Sequence, residues 1–268
     1  MPQYRDVLAD MVTVAREAGA LTLRHFERFR EIEIGIKGPA DFVSDADRES
    51  ELLIRERLFA RYPDWALTGE EFPPDDRGDG EHRWLVDPID GTTNFVNGMD
   101  YTISIALRRG GETVAGALYN PVRDEMFTAI RGEGAFLDGA RLSVSQRAEV
   151  GLMAIGTGLP ISRLHSFAGY YPRLERLRDR VGAVRVVGSS ANSCAYVACG
   201  RLTGYFEESG LVDWAVGVLL VEEAGGVVTD WWGRGPEAYE RTGMVIVANR
   251  ATHAFLLEML KDAPRKEP

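Results

Sequence analysis

Apolar residues recur at helical spacing near the start of the chain and predict a long amphipathic helix that packs on the body of the protein. The positions on this face are Leu8, Met11, Ala15, Ala18, Thr22, Phe26 and Phe29. A second helix is predicted from about Ser44 to Arg61, and Tyr62-Pro63 is expected to end it. The first part of the chain therefore begins with two helices.

Short apolar runs follow these helices and predict strands. The first two are Trp65–Thr68 and Trp84–Val86. Four more are broken only by Gly, Asn and Pro, a spacing typical of an antiparallel meander; they cover residues 101–107, 113–119, 125–130 and 135–137.

From about residue 150 the pattern changes to strands alternating with helices. The predicted pairs are strand Val184–Val187 with helix Ser190–Cys199, strand Thr203–Phe206 with helix Asp213–Ala224, and strand Met244–Ala248 with a last helix through Leu260. We therefore expect an α+β lobe over residues 1–145 and an α/β lobe over residues 146–268.

The composition narrows the function classes. The 268 residues are 45% hydrophobic, enough for a substantial core in one large domain or two small lobes, and the net charge of −10 argues against a nucleic-acid partner. No apolar run reaches the roughly twenty residues of a membrane span, and no secretion signal is visible. Cys194 and Cys199 are expected to be reduced, buried helix residues of a cytoplasmic protein. Phe72–His82, rich in Pro, Asp and Gly, is expected to be an exposed, mobile loop.

The most informative segment is Trp84–Phe95. Its apolar start predicts a buried strand that brings Asp87 and Asp90 to an exposed cleft, where Pro88 and Gly91 turn the backbone. Beyond the turn, backbone N–H groups can begin a short helix and attract an anion. Taken alone, an Asp-Gly pair is more often a simple turn or helix cap. Two carboxylates in this setting instead favour a metal-dependent phosphate site.

Three further acidic segments occur in the chain: Asp41–Asp47, Gly69-Glu70-Glu71 and Asp213–Gly217. With these four segments in this order, the chain resembles the inositol monophosphatase family of Mg²⁺-dependent, lithium-sensitive sugar phosphatases. The resemblance extends from Lys37 to Gly226 and beyond. It implies a layered α-β-α-β-α sandwich of the sugar phosphatase type and a homodimer.

The resemblance also implies the metal ligands. Glu70, Asp87 and the backbone carbonyl of Ile89 would hold one ion, and Asp87 would share a second with Asp90 and Asp213. A weaker third ion is implied near Glu70. Such oxygen donors favour Mg²⁺, with Mn²⁺ as a substitute, over zinc.

Water is the implied nucleophile. By resemblance, the Thr92 hydroxyl hydrogen-bonds this water and passes charge towards Asp47, while Glu70 can also act as a base. The pattern Ser44-x-x-Asp47 has a competing explanation, because it is a capping box in which Asp47 only satisfies a backbone N–H. Both roles could coexist.

Substrate contacts are predicted on both sides of the metals. Phosphate is expected at the N–H groups of Gly91 and Thr92, with Lys37 as a secondary contact. The alcohol is expected near the substrate-binding candidates Asp90, Ser189, Ser190, Glu207 and Asp213. Ser189, Ser190 and Glu207 could equally be a helix cap or a strand-end charge.

The chain departs from the family pattern at three places. Ser44 stands where the family usually has Thr, and Trp214 follows Asp213 instead of preceding it, with Val212 in the preceding position. The segment between Glu207 and Asp213 is one residue shorter than in animal enzymes, so Glu208 could replace Glu207 at the sugar.

These patterns predict Mg²⁺-dependent hydrolysis of a small polyol or sugar phosphate, with myo-inositol 1-phosphate as first choice. Histidinol phosphate, fructose bisphosphate and nucleotide phosphates are alternatives. A phosphatase with an aspartyl-phosphate intermediate would need a D-x-D motif, whereas Asp87 and Asp90 are three residues apart. A dinucleotide-binding protein is disfavoured because Gly156-Thr157-Gly158 lacks the third glycine of that fingerprint. A non-catalytic regulatory or binding protein on the same scaffold is the alternative of another class.

Overall fold

A computed structural model describes residues 2–31, 34–38, 41–78, 80–159 and 170–260 of the protein. The helices are α1 (Pro2–Phe26), α2 (Asp45–Arg61), α3 (Thr92–Val96), α4 (Tyr170–Arg178), α5 (Ser190–Ala198), α6 (Leu211–Glu223), α7 (Pro236–Thr242) and α8 (Arg250–Leu260). The strands are β1 (Ile34–Gly38), β2 (Asp41–Ser44), β3 (Ala66–Gly69), β4 (His82–Asp90), β5 (Thr102–Arg109), β6 (Glu112–Asn120), β7 (Glu125–Ile130), β8 (Gly134–Leu137), β9 (Ala140–Arg141), β10 (Ala154–Thr157), β11 (Ala183–Arg185), β12 (Gly204–Glu208), β13 (Val227–Thr229) and β14 (Met244–Ala248).

The larger sheet has the order β3-β4-β5-β6-β7-β8-β9. Strand β3 is parallel to β4, and the other neighbours are antiparallel, which confirms the predicted meander. Strands β5 and β6 are buried along almost their whole length. They read as continuous apolar runs because both faces of the sheet are covered.

Strand β4 is longer than the predicted Trp84–Val86. It pairs with β5 through Asp87, which lies opposite Ser104, and again at Asp90, with an irregularity between these two positions. The sequence suggested that the backbone turns away at Pro88, but the strand continues in the sheet to Asp90. Pro88 lies in the irregular part, where its missing N–H leaves no ladder bond unmade.

The smaller sheet has the order β11-β10-β12-β14-β13. Strands β11, β10 and β12 are parallel, whereas β14 is antiparallel to both of its neighbours. The predicted alternation of strands and helices is confirmed, but β10 and β13 were not predicted. Both are short, with four and three residues, so their apolar pattern is weak.

The elements form five layers. Helices α1 and α2 cover one face of the larger sheet, and α5 and α6 lie between its other face and the smaller sheet. Helices α4 and α8 cover the far face of the smaller sheet. Successive side chains of β4 face different helix layers: Trp84 packs with α1 and α2, whereas Leu85 packs with α5 and α6. This is the predicted α-β-α-β-α sandwich.

Helix α1 follows its predicted apolar face as far as Phe26. Met11 and Ala18 are fully buried, and Thr22 accepts a hydrogen bond from the Tyr101 hydroxyl at 2.8 Å. Phe29 lies outside the helix, in a short 3-10 turn over Phe29–Glu31.

The loop between β3 and β4 is partly exposed, as predicted, but it is tied to the sheet. Leu67 and Asp75 exchange two backbone hydrogen bonds of 2.9 and 2.8 Å. The guanidinium group of Arg77 stacks 3.6 Å from the centre of the Phe59 ring. The predicted mobility of this loop stays a prediction.

Both cysteines are free, Cys194 buried inside α5 and Cys199 half-buried at its end. In the described ranges, no helix is both long and apolar enough to cross a membrane.

Candidate active site

The turn after β4 requires glycine. Gly91 has a φ of +100°, and a Cβ atom there would lie 3.0 Å from the carbonyl oxygen of Gly188. The Gly91 carbonyl accepts the N–H of Phe95 at 2.9 Å, which closes the first turn of the five-residue helix α3. Only glycine adopts this left-handed backbone at so close an approach without strain. The short helix predicted after the turn is confirmed.

Asp87 is at the centre of an acidic cluster. Its side chain is only 2% exposed, so the predicted exposed cleft is wrong at this position. Burial, followed by the charges of Glu70, Asp90 and Asp213, raises the pKa of Asp87 well above its usual value. The structure therefore brings together the four carboxylates that the sequence distributes over more than 140 residues.

Asp90 is also buried, with 7% exposure, and it holds the start of helix α5. Its carboxylate accepts the Ser189 hydroxyl, the N–H groups of Ser190 and Ala191 at 3.2 and 2.8 Å, and the Thr102 hydroxyl at 3.3 Å. Burial raises the pKa of Asp90 to about 6 in spite of these hydrogen bonds. Asp90 thus joins the larger sheet to a helix of the middle layer, a role that the sequence did not predict.

Asp47 has both of the contacts that the sequence left as alternatives. Its Oδ2 atom accepts the N–H and hydroxyl of Ser44 at 2.8 and 2.6 Å, as in a capping box. Its Oδ1 atom accepts the Thr92 hydroxyl at 3.2 Å. The same hydroxyl lies 3.3 Å from the carbonyl oxygen of Ile89. The serine that replaces the usual threonine therefore keeps a hydroxyl contact with Asp47 at the start of α2.

Glu70 follows β3 and is exposed. Its carboxyl group is close enough to that of Asp87 for a side-chain hydrogen bond. Glu70 is thus the solvent-facing member of the cluster.

Asp213 lies in the first turn of α6, where its Oδ2 atom accepts the Gly210 N–H at 2.8 Å. The following Trp214 is buried, with its ring centre 5.5 Å from that of Tyr239 and its indole N–H donating to the Ser209 carbonyl at 3.3 Å. The tryptophan after Asp213 therefore contributes to the core. Because Trp214 packs inward, the Asp213 carboxylate remains next to the acidic cluster.

The donor chemistry of the cluster fits a hard divalent cation. After burial, the charges of Glu70, Asp90 and Asp213 are the causes that raise the pKa of Asp87, so several carboxylates act on one point. Among the described residues, no three Asp, Glu, His or Cys side chains are already arranged as a metal cage. The carboxylates would therefore have to close on an ion, and oxygen donors of this kind suit Mg²⁺ or Mn²⁺.

A cavity of about 580 Å³ opens beside Asp90. Ser190 and Glu207 line its polar side, and Met99 and Val186, both half-exposed, line its mouth. The cavity is large enough for a small phosphorylated polyol.

Glu207 is held firmly in this cavity. Its Oε2 atom accepts the Ser190 hydroxyl at 2.6 Å and the Tyr205 hydroxyl. A Cβ atom at Gly158 would lie 1.5 Å from its Oε1 atom, so the glycine makes room for the carboxylate. Glu208 is buried and points to the other face of β12, because side chains alternate along a strand. Glu207 is the glutamate that reaches the cavity.

The structure describes the residues predicted to bind phosphate less completely. Gly91 and Thr92 are half-buried at the start of α3. Lys37 lies in β1, and its side chain is outside the described part of the structure.

Sequence reasoning missed several residues that shape the site. Tyr205 and Gly158 position Glu207, and Thr102 contacts Asp90. Asn94 lies within the Trp84–Phe95 segment, and its amide donates to the carbonyls of Asp100 and Val187 at 2.9 and 2.8 Å and joins two loops. The alternation along β12 could have revealed Tyr205, but none of the others has a local pattern.

Comparisons with known proteins identify the family of this chain. The inositol monophosphatase family matches residues 3–265. "Inositol-1-monophosphatase" of Rhizobium meliloti (strain 1021) is 40% identical over 254 residues, 94% of this chain and 94% of that protein. "Nus factor SuhB" of Escherichia coli (strain K12) is 37% identical over 262 residues, 95% of this chain and 97% of that protein. The crystal structure of extragenic suppressor protein suhB from Bartonella henselae superposes with a TM-score of 0.92 at 38% identity, covering 97% of this chain and 100% of that one.

The fold and the site define an enzyme of the phosphoric monoester hydrolase class. The chain belongs to the inositol monophosphatase family, whose members act on phosphorylated polyols.

Proposed function

We propose that this protein hydrolyses a small polyol or sugar phosphomonoester in a Mg²⁺-dependent reaction, with myo-inositol 1-phosphate as the first substrate to test. The observation that carries the proposal is the acidic cluster around Asp87 beside a cavity lined by Ser190 and Glu207. The relative named Inositol-1-monophosphatase supports the choice of substrate.

Two cations would be held by the acidic cluster, with a third, weaker ion near Glu70. Glu70, Asp87 and the Ile89 carbonyl are the proposed ligands of the first, and Asp87, Asp90 and Asp213 of the second. When bound, Mg²⁺ or Mn²⁺ makes water a stronger nucleophile and neutralises charge on the phosphate.

The proton of the attacking water would pass through Thr92. Its hydroxyl donates to Asp47 at 3.2 Å, so its oxygen is oriented to accept a proton from a water on its other side. Asp47 is held by Ser44 and cannot rotate away from Thr92 without losing its capping contacts. Glu70, on the solvent side, is the alternative base.

The two halves of the substrate would bind on either side of the cluster. The N–H groups of Gly91 and Thr92 would hold the phosphate, with Lys37 as a secondary contact. Ser190 and Glu207 would hold the hydroxyl groups of the alcohol, with Ser189 fixed against Asp90. Asp90 and Asp213 would also border the alcohol.

Phosphate release from a panel of substrates tests the proposal. The panel contains myo-inositol 1-phosphate, histidinol phosphate, fructose 1,6-bisphosphate and a nucleotide phosphate, each with and without Mg²⁺. We expect Mg²⁺-dependent release that is strongest for the inositol phosphate and absent for the Asp87→Asn protein. Release that persists in a metal chelator would contradict the metal mechanism, and preference for another member would replace the substrate.

Glu207→Gln is expected to raise KM for the polyol phosphate about tenfold with a smaller change in kcat. The reason is that a hydrogen bond from a substrate hydroxyl to a charged carboxylate contributes roughly 1.5 kcal/mol more to binding than one to the neutral amide of glutamine. Glu208→Gln is the matched control, because this neighbour faces away from the cavity. Steady-state kinetics of both variants check the assignment, and an equal effect of the two changes would refute it.

Lithium at millimolar concentration is expected to inhibit turnover. This expectation comes from the family resemblance alone. Inhibition should be measured by phosphate release over a range of LiCl, with equal KCl as the control for ionic strength. Unchanged turnover in lithium would remove this property from the proposal.

A regulatory role is a second candidate, because relatives 36–37% identical carry the name Nus factor SuhB. A binding role would not need the acidic cluster, so Asp87→Asn should keep it. Absence of phosphate release from every panel member, in a protein that still binds Mg²⁺, would favour this candidate.

We further propose that the protein is a cytoplasmic homodimer that binds neither nucleic acid nor membranes. The boundary between its two lobes is proposed to lie near residues 145 and 146. The net charge of −10 supports the exclusion of nucleic acid. Size-exclusion chromatography with light scattering tests the dimer.

A further inference from the structure

One face of helix α2 contacts two of the segments that build the acidic cluster, namely Trp84–Phe95 and the loop that carries Glu70. Asp47 accepts the Thr92 hydroxyl, and the Ser50 hydroxyl donates to the Pro88 carbonyl at 3.4 Å. Glu51, on the same face, reaches the loop that carries Glu70. Residues at i, i+3 and i+4 share one face of a helix, so these three contacts come from a single stripe.

Glu51 is a fully buried carboxylate with two strong donors. Its Oε1 atom accepts the Arg55 Nε–H at 2.8 Å, and its Oε2 atom accepts the backbone N–H of Glu71 at 2.7 Å. Removing a carboxylate from water is costly unless it is paired and hydrogen-bonded. The interaction is therefore specific to a loop conformation that presents the Glu71 N–H to helix α2.

The same loop is held at further points. A Cβ atom at Gly69 would lie 2.0 Å from Glu51 Oε1, so the backbone at residue 69 packs directly on the carboxylate. Arg55 continues the contact, because its Nη2 atom donates to the carbonyls of Phe72 and Pro73 at 3.3 and 3.1 Å. Residues on both sides of Glu70 are thus fixed by two side chains one helical turn apart.

Glu70 lies between these restrained residues. It is exposed, and its carboxyl group faces Asp87. An exposed glutamate on a free loop would lose side-chain and backbone freedom when it binds a cation. Fixing residues 69, 71, 72 and 73 in advance removes the backbone part of that cost.

We propose that Glu51, together with Arg55, is a positioning residue that holds Glu70 where it can ligate a divalent cation shared with Asp87. This inference rests on the proposed function, in which Glu70 is a metal ligand. Glu51 acts through the loop and touches neither cation nor substrate.

Direct cation binding tests the inference without relying on turnover. Mn²⁺ is the probe, and its free concentration is read from the electron paramagnetic resonance signal. Glu51→Gln keeps the size of the side chain but loses the charge that pairs with Arg55. We expect it to weaken the Mn²⁺ site that depends on Glu70 about tenfold. Gly69→Ala, which disturbs the same contact from the end of β3, should weaken it in the same direction and serves if Glu51→Gln does not fold.

Two comparisons separate positioning from general destabilisation. Leu58→Ala, a buried apolar change on the same helix, should lower the melting temperature but leave Mn²⁺ affinity unchanged. Adding Glu51→Gln to Glu70→Gln should cause no further loss of affinity, because Glu51 acts only through Glu70. Additive losses, or an equal loss in Leu58→Ala, would overturn the inference. If the unaltered protein binds no Mn²⁺, the proposed metal site fails, and this inference fails with it.

Discussion

Asp87→Asn is expected to lower turnover at least roughly a thousandfold, about 4 kcal/mol of transition-state stabilisation. Asp87 is the carboxylate that faces Glu70, Asp90 and Asp213 together, so its loss would weaken both proposed cation sites. Asparagine keeps the shape of the side chain and removes one of four clustered negative charges. We therefore expect the variant to fold, without loss of stability in the absence of metal.

Kinetics and thermal unfolding of the same preparations check this result. Mg²⁺ should raise the melting temperature of the unaltered protein but not that of Asp87→Asn, because a ligand stabilises only the state that binds it. Asp124→Asn is the matched control: it is the same chemical change at an exposed carboxylate paired with Arg16 at 2.9 Å. Retained turnover in Asp87→Asn would remove the metal mechanism.

Asp90→Asn is expected to abolish turnover and also to destabilise the fold. Its carboxylate accepts two backbone N–H groups at the start of α5 in addition to the Ser189 and Thr102 hydroxyls. An amide has one acceptor oxygen and carries no charge, so the helix end loses about 1–2 kcal/mol. The family resemblance gives both aspartates a metal-ligand role, whereas the contacts of Asp90 with α5 separate their expected effects on stability.

Urea unfolding in a chelator measures the difference in stability between these two variants. Asp230→Asn provides the control, because Asp230 is another buried aspartate that accepts the backbone N–H groups of Trp232 and Arg234 at 2.9 and 2.8 Å. We expect Asp230→Asn to lose a similar amount of stability while it keeps Mg²⁺-dependent turnover. Equal stability of Asp87→Asn and Asp90→Asn would show that the contacts of Asp90 with α5 contribute nothing.

Local patterns were sufficient for most of the fold. The period of apolar residues located α1, and the closely spaced apolar runs predicted the meander β5–β8, because both depend on which side chains face the core. The end of α2 was predicted from Tyr62-Pro63. The same patterns failed where few residues carry them, as in the three-residue β13, and where pairing extends beyond the apolar run, as in β4. The exposed position expected for Asp87 was wrong because burial depends on the layer packed above the strand.

The candidate site divides in the same way. The sequence by itself determined the cluster's chemistry, since Asp87, Asp90, Glu70 and Asp213 lie in recognisable segments, whereas their catalytic and metal-binding roles stay predictions. Only the tertiary structure decided that Asp90 caps α5, that Glu207 reaches the cavity and Glu208 does not, and that Glu51 holds the Glu70 loop. The physical reason is that a motif records which groups are available along the chain. The partner of a buried carboxylate, in contrast, is chosen by the donors that packing brings within hydrogen-bonding distance, here from helices and loops up to about a hundred residues away.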